Sequence, residues 1–306
     1  MSVAPIDIIA LGEPLIEFNH IEASNWLMGH GGDTSNVAIA AARQGARTAM
    51  VAHIGADEFG DSLMALWATE GVSSANVVRD PVAPTGLYFV HHDETGHRFS
   101  YLRKGSAASR MRPADLPLDA IRSAKILHLS GISLAISESA CDACFAAMKA
   151  AREAGVTISI DTNLRTLLWP VDRARAIIHE AMRMADIALP GMDDARLLCG
   201  IEDPSEIIDF YSSLGPKIVA LTLGETGALI GEGDTVHEIA PRPAKLVDAS
   251  GAGDCFDGAF LARLSAGDDV PVAAAYATAA ASLSVEGYGA IAPIPTASQV
   301  RQALGG

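Results

Sequence analysis

The 306-residue sequence is short of cations, of cysteines and of long apolar runs, and each shortage closes off a class of function. Lys and Arg number 22 against 37 Asp and Glu, a formal net charge of −15 at pH 7. Nucleic-acid binding needs clustered cations to neutralise phosphates, so no nucleic-acid partner is expected. An anionic small substrate stays open, because a few Arg side chains in a cleft set the local field whatever the total charge. Four cysteines in so long a chain make no disulfide framework. Cys141 and Cys144 form a CxxC, but within SESACDACFAAMKAAREAG, an amphipathic helical pattern, and no second CxxC or nearby His supports zinc. No apolar stretch reaches the roughly 20 residues that span a bilayer, so no membrane partner is expected. Met1–Ile9 lacks a basic leader and already carries Asp7, which points to a cytoplasmic location. No linker, charge block or repeat divides the chain, and residues 1–306 read as one domain.

What is present is a chain 49% hydrophobic and 19% charged, enough for a large core. Strand-like and helix-like runs alternate, the grammar of a mostly parallel sheet flanked by helices. Strands are expected at 6–11, 47–54, 126–130, 156–161, 187–190 and 218–222, and helices at 34–44 and 57–70, closed by Gly45 and Gly71. Two stretches break the alternation: 13–19, and 86–90 with 98–103 across the turn 91–97, where Asp93, Glu94 and Gly96 supply turn chemistry. They read either as a small β-sheet lid, about 13–19 and 86–103, over the carboxyl edge of the main sheet, or as an antiparallel extension of that sheet. Exposed edges on an isolated lid imply pairing with a second copy, with Leu15, Ile16, Phe18, Leu87, Phe89 and Val90 as apolar material.

The segment Val247-Asp248-Ala249-Ser250-Gly251-Ala252-Gly253-Asp254 precedes an apolar helical run, 255–265. A glycine-rich turn at a helix start aims several N–H groups at one point, reinforced by the helix dipole. Gly251 and Gly253 permit close backbone approach. Asp254 in the first turn would then stand beside a transferring phosphoryl group, able to take a hydroxyl proton. Alone, the same residue reads better as an N-cap, and the segment is no Walker A loop because no Lys-Ser/Thr follows it.

Gly31-Gly32-Asp33-Thr34-Ser35-Asn36, Gly55-Ala56-Asp57-Glu58-Phe59-Gly60 and Asp248–Asp254 together resemble the two signatures of the PfkB, or ribokinase-like, carbohydrate kinases, in order and in spacing. The resemblance implies a ribokinase-like α/β fold with a lid and transfer of phosphate from ATP. It implies Asp254 as base, Gly251, Ala252 and Gly253 as anion hole, and Gly32, Asp33 and Asn36 as sugar contacts. Several segments are similar to 2-keto-3-deoxygluconate kinases: Gly12–Glu17, Gly86–Tyr88, Tyr101–Arg103, Leu129–Ser133 and Asp161–Arg165. That likeness places Tyr88, Tyr101, Arg103 and Arg165 around a sugar acid. Guanidinium forks suit a carboxylate. The resemblance also implies nucleotide contacts at Asn163, Thr222, Gly224, Gly227 and Ser250. Thr222 stands where the family has Lys, and Gly191-Met192-Asp193-Asp194 where it has N-x-x-E, leaving Asp194 to orient magnesium. ATP and magnesium are the expected cofactors. The expected reaction is phosphorylation of the primary hydroxyl of 2-keto-3-deoxygluconate or a close keto-sugar acid. A ribokinase or fructokinase for a neutral sugar, and a non-catalytic binding protein of the same fold, remain alternatives.

Overall fold

The computed structural model describes residues 6–22, 24–93 and 96–305. The strands are β1 (Ile8–Leu11), β2 (Leu15–Glu22), β3 (Asn25–Gly31), β4 (Thr48–Gly55), β5 (Ser73–Asp80), β6 (Gly86–Asp93), β7 (Gly96–Leu102), β8 (Ile126–Ser130), β9 (Thr157–Asp161), β10 (Ile187–Leu189), β11 (Ile218–Thr222), β12 (Ala228–Glu232) and β13 (Thr235–Ile239). The helices are α1 (Asp33–Arg43), α2 (Glu58–Glu70), α3 (Leu118–Ser123), α4 (Gly131–Ala135), α5 (Glu138–Glu153), α6 (Val171–Met182), α7 (Met192–Cys199), α8 (Pro204–Leu214), α9 (Ala252–Ala266), α10 (Val270–Ser284) and α11 (Ala297–Ala303).

Nine strands form the main sheet in the order β13-β12-β11-β10-β9-β8-β1-β4-β5, parallel from β11 to β5 and antiparallel at β12 and β13. Every strand expected from the alternation is there. β3, β5, β12 and β13 lie outside those expectations; β3, β5 and β13 are half-exposed edge strands with little of the apolar signal of a buried parallel strand, whereas β12 is buried but short and antiparallel. Successive residues of β1 enter different cores. Ile8 and Ala10 pack with α1, α9 and α10, while Ile9 and Leu11 pack with α5, α6 and α8, as a period of two requires of a strand covered on both faces.

Local chemistry sets the helix ends. The Asp57 carboxylate caps α2 by accepting the Gly60 N–H at 2.8 Å, and Gly71 closes it with a left-handed φ of 72°. α9 has no polar stripe and is buried through Cys255–Ala262, so it is held from all sides. It approaches α1 closely at Gly258, where an added Cβ would lie 2.5 Å from the Val37 carbonyl oxygen. That packing fixes the distance between the residues that start α1 and those that start α9.

The second sheet, β3-β2-β6-β7, is separate from the first, which settles the two readings in favour of a small lid sheet rather than an extended main sheet. Within it β2 runs parallel to β6, and β2–β3 and β6–β7 are antiparallel. Of the hairpin turn residues, Glu94 lies outside the described residues. The apolar residues expected to form a surface on the lid do not. Leu15, Ile16 and Val90 are buried within the chain, and Phe18 stacks on Phe89 and edges onto Phe59. The lid's exposed large apolar side chains are instead Ile21, Leu27, Met28, Phe99 and Leu102. Cys141 and Cys144 are free thiols on α5, Cys144 fully buried, and no metal-binding cluster occurs among the described residues. No helix among them is long and apolar enough to cross a membrane.

Candidate active site

Strand β1 ends beneath the lid, and the links and helices that follow β1, β9, β10 and β11 meet the start of α9 at the carboxyl edge of the sheet, where open α/β folds gather ligands. Three connected spaces lie there. A cleft of about 390 Å³ under the lid is lined by Gly32, Asp33, Asn36, Tyr88, Tyr101, Arg103 and Arg165, seven residues that the sequence scatters over 134 positions, and by Asp254. A polar space of about 320 Å³ between Asp194 and the glycine turn adjoins it. Beyond Thr222 opens an apolar cavity of about 530 Å³, walled by Gly224, Gly227, Leu246, Phe256 and Val285.

Asp254 is half-buried in the first turn of α9 and accepts a 2.8 Å hydrogen bond from Asn36 Nδ2. Burial, with the negative charge of Asp33 added, pushes its carboxyl up to about 7, against the opposing pull of the Asn36 amide and Arg165. A carboxylate so tuned exchanges a proton near neutral pH, which is what a general base for a hydroxyl needs. Gly251, the N-cap, takes a φ of 72°, and a Cβ there would meet Ala290 at 2.9 Å. Gly253 differs from expectation. It is helical and open, so the left-handed requirement falls on Gly251 alone. The Ala252 N–H already turns to the Ala249 carbonyl at 3.2 Å, which removes it as an anion-hole donor in this state. The N–H groups of Gly253 and Asp254, first-turn positions without intrahelical acceptors, line the polar space.

The sugar side is rich in satisfied charge. Glu13, fully buried, pairs with Arg103 and accepts from Ser106 Oγ at 2.8 Å. Arg103 therefore does not enter the cleft as a free cation, although its Nε is buried without an acceptor among the described residues. Glu17 accepts from the Tyr88 hydroxyl and the Asn19 amide, and burial raises its carboxyl. Arg165 differs. It is exposed at the cleft, donates to the Leu164 carbonyl at 3.0 Å, and has no ion-pair partner among the described residues. Asp33 Oδ1 and Asn36 Oδ1 are buried acceptors without donors, the complement of sugar hydroxyls.

Two residues expected at the nucleotide, Asn163 and Ser250, line the polar space rather than the apolar cavity. Asn163 donates its Nδ2 to Asp33 Oδ2 at 3.2 Å, and Ser250 lines the sugar cleft and the polar space. Neither borders the apolar cavity, whereas Thr222, Gly224 and Gly227 do. Asp194 borders the polar space and accepts the Leu164 N–H at 2.7 Å. Its carboxylate suits a cation that keeps its waters and leans on phosphate oxygens, as magnesium does. The sequence reading missed Glu13, Glu17, Asp161 and Asp257. The signal for Asp257 was available, since it is a charge in an otherwise apolar helix, three residues after Asp254.

The model of the pfkB family carbohydrate kinases matches residues 3–297. A 2-dehydro-3-deoxygluconokinase of Thermoproteus tenax is 36% identical over 313 residues, covering 98% of this chain and 95% of the relative. Fructokinase-2 of Solanum habrochaites is 35% identical over 320 residues, covering 98% and 96%. Among solved structures, a PfkB protein from Polaromonas sp. JS666 superposes with a TM-score of 0.89 at 32% identity, over 97% of this chain and 99% of that one. A fructokinase from Vibrio cholerae O395 with fructose, ADP and calcium bound gives 0.89 at 26%, over 98% and 99%. A raised carboxyl at a helix N-terminus, unpartnered buried acceptors on one side and an apolar cavity on the other, and this match over nearly the whole length lead to one conclusion: the chain belongs to the pfkB family and is an ATP-dependent carbohydrate kinase.

Proposed function

We propose that the acceptor is 2-keto-3-deoxygluconate or a close keto-sugar acid, phosphorylated on its primary hydroxyl. The observation that carries this is Arg165, a guanidinium at the mouth of the sugar cleft that makes no ion pair among the described residues. A substrate carboxylate supplies the missing partner. Asp33 and Asn36 accept sugar hydroxyls through their unpartnered oxygens. Asp254 takes the proton of the attacking hydroxyl, whose oxygen bonds to the γ-phosphorus as the bond from that phosphorus to the β-γ bridging oxygen breaks and ADP leaves. The first-turn N–H groups of α9 stabilise charge on the transferring phosphoryl oxygens. Asp194 would hold magnesium, which would supply charge neutralisation for the nucleotide's phosphates.

A neutral keto-sugar is the second reading. Glu13 favours it, because by engaging Arg103 it removes one of the two cations on which a carboxylate would rely. Kinetics with magnesium-ATP on 2-keto-3-deoxygluconate, fructose and ribose decide between them. A kcat/KM at least tenfold higher on the acid supports the first reading, and a preference for fructose or ribose rejects it.

The lid is further proposed to join two copies of the chain and to close on sugar. Its exposed Ile21, Leu27, Met28 and Leu102 suit a two-fold contact. Light scattering after gel filtration that gave a clean monomer at micromolar concentration would reject the pairing. Hydrogen exchange unchanged across 86–103 on adding the sugar acid would reject the closure.

A further inference from the structure

Among the described residues, the charged side chains that line the sugar cleft are Glu13, Glu17, Asp33, Asp254, Arg103 and Arg165. Acidic groups outnumber the guanidiniums there, so how each arginine is engaged decides what an anionic sugar meets. Glu13, Leu15 and Glu17, alternate residues leading into and along β2, all line the cleft, so one face of that run is turned to the ligand. Glu17 is taken up by the Tyr88 hydroxyl and the Asn19 amide. Glu13 is taken up by Arg103.

The Glu13 carboxylate sits where the lid joins the body. It pairs with Arg103, the residue after the end of β7, accepts from Ser106 Oγ at 2.8 Å, and lies against the first residue of β6. A Cβ added to Gly86 would stand 2.9 Å from Glu13 Oε1, so glycine at that position makes the space the carboxylate fills. The Arg103 side chain is 9% exposed, its Nε has no acceptor among the described residues, and its Cζ lies 5.6 Å from the centre of the Tyr101 ring. The two arginines therefore offer a ligand different things. A substrate carboxylate brought to Arg103 would also approach Glu13, and repulsion between the two anions would cancel much of what the guanidinium gives. An uncharged carbonyl or hydroxyl oxygen accepts a guanidinium N–H without that cost.

We propose that Glu13 is a positioning residue that sets acceptor specificity: by compensating Arg103 it makes that arginine a donor to an uncharged oxygen of the sugar and leaves the substrate carboxylate to Arg165. The acid end of the substrate then lies against the loop after β9, and a keto or hydroxyl oxygen lies against the root of the lid. This rests on the keto-sugar acid being the acceptor. It also gives the charge of Glu13 a consequence opposite in sign to simple damage. Removing that charge frees a second guanidinium for carboxylates and should sharpen the preference for the acid.

The test measures kcat and KM with magnesium-ATP on 2-keto-3-deoxygluconate and on fructose for the parent, Glu13→Gln and Ser106→Ala. Gln keeps the length of Glu and removes its charge. The ratio of kcat/KM on the acid to that on fructose should rise about fivefold or more in Glu13→Gln, chiefly through a lower KM for the acid. Ser106→Ala removes a hydrogen bond to the same carboxylate but no charge, and should leave the ratio within about twofold of the parent's. A purely structural role for Glu13 would depress both substrates together and leave the ratio where it was. A ratio unchanged or lowered in Glu13→Gln overturns the proposal. If Glu13→Gln does not fold, Glu13→Gln/Arg103→Gln decides, because it replaces the ion pair by an uncharged pair of similar length. KM should then change by the same factor on both sugars, and a selective rise on the acid overturns the proposal by showing that Arg103 reads the carboxylate. Failure of the acceptor reading shows elsewhere, as a parent that prefers fructose or an Arg165→Ala variant that loses both substrates alike.

Discussion

On the sugar side of the cleft, Glu13, Glu17, Asp33 and Asn36 are buried among partners contributed by the lid, by α1 and by the loop after β9. On the nucleotide side, Thr222, Gly224 and Gly227 border an apolar cavity, and its one arginine, Arg242, is already paired with Glu286 at 3.2 Å. The first side recognises its ligand through charges and donors fixed in advance. The second recognises through shape and backbone. Buried polar groups discriminate strongly because a wrong ligand leaves them unsatisfied, while an apolar slot tolerates exchange at little cost. Substitutions should therefore change what the sugar side accepts, and mostly only how tightly the nucleotide side holds.

The largest effect is expected at the junction of the two. Asp254→Asn keeps the shape and removes the base, so kcat should fall about 10²–10⁴-fold with both KM values within threefold. Steady-state kinetics check this, and near-normal turnover would sink the assignment. In the parent, kcat/KM should drop as pH falls through about 7, because Asp254 then carries a proton. The same residue gives a stability prediction of opposite sense. Its folded carboxyl is raised from the ordinary 3.8, so the folded chain holds the extra proton between 3.8 and about 7, and this contribution is lost as pH rises through about 7. Asp254→Asn lacks that loss, and its melting temperature relative to the parent should be higher at pH 8 than at pH 5.

Next in size is the sugar side. Arg165→Ala should raise KM for a 2-keto sugar acid tenfold or more, about 1.5–3 kcal/mol, and leave neutral sugars unchanged. Arg103→Ala should impair acid and neutral sugars alike, because it strands the buried Glu13 carboxylate rather than freeing a reader of charge. Equal loss on both substrates from Arg165→Ala would erase the contrast between the two arginines. Smallest is Thr222→Lys on the nucleotide side, which adds a cation beside the polar space. KM for ATP should fall by about twofold to fivefold, with the ranking of sugars unaltered. A changed sugar ranking would show that the two sides do not recognise independently.

By itself the sequence determined the alternation of strands and helices, the glycine turn ahead of α9, and the carboxylate of Asp254 in that helix's first turn. Each depends on residues adjacent in the chain: a periodicity, a φ that only Gly251 supplies readily, a carboxylate in a helix's first turn. It also determined which residues gather at the sugar, through their likeness to a known pattern. Only the tertiary structure decided what those residues are free to do. Arg103 and Arg165 read alike in sequence, yet Glu13, 90 positions away, engages the first and leaves the second open. Asn163 reads as a nucleotide contact, and Asp33, 130 positions away, takes its amide where it lines the polar space. The physical reason is common to both. A side chain's charge and hydrogen bonds in a buried site are set by partners that chain folding, and not chain order, brings within about 3 Å.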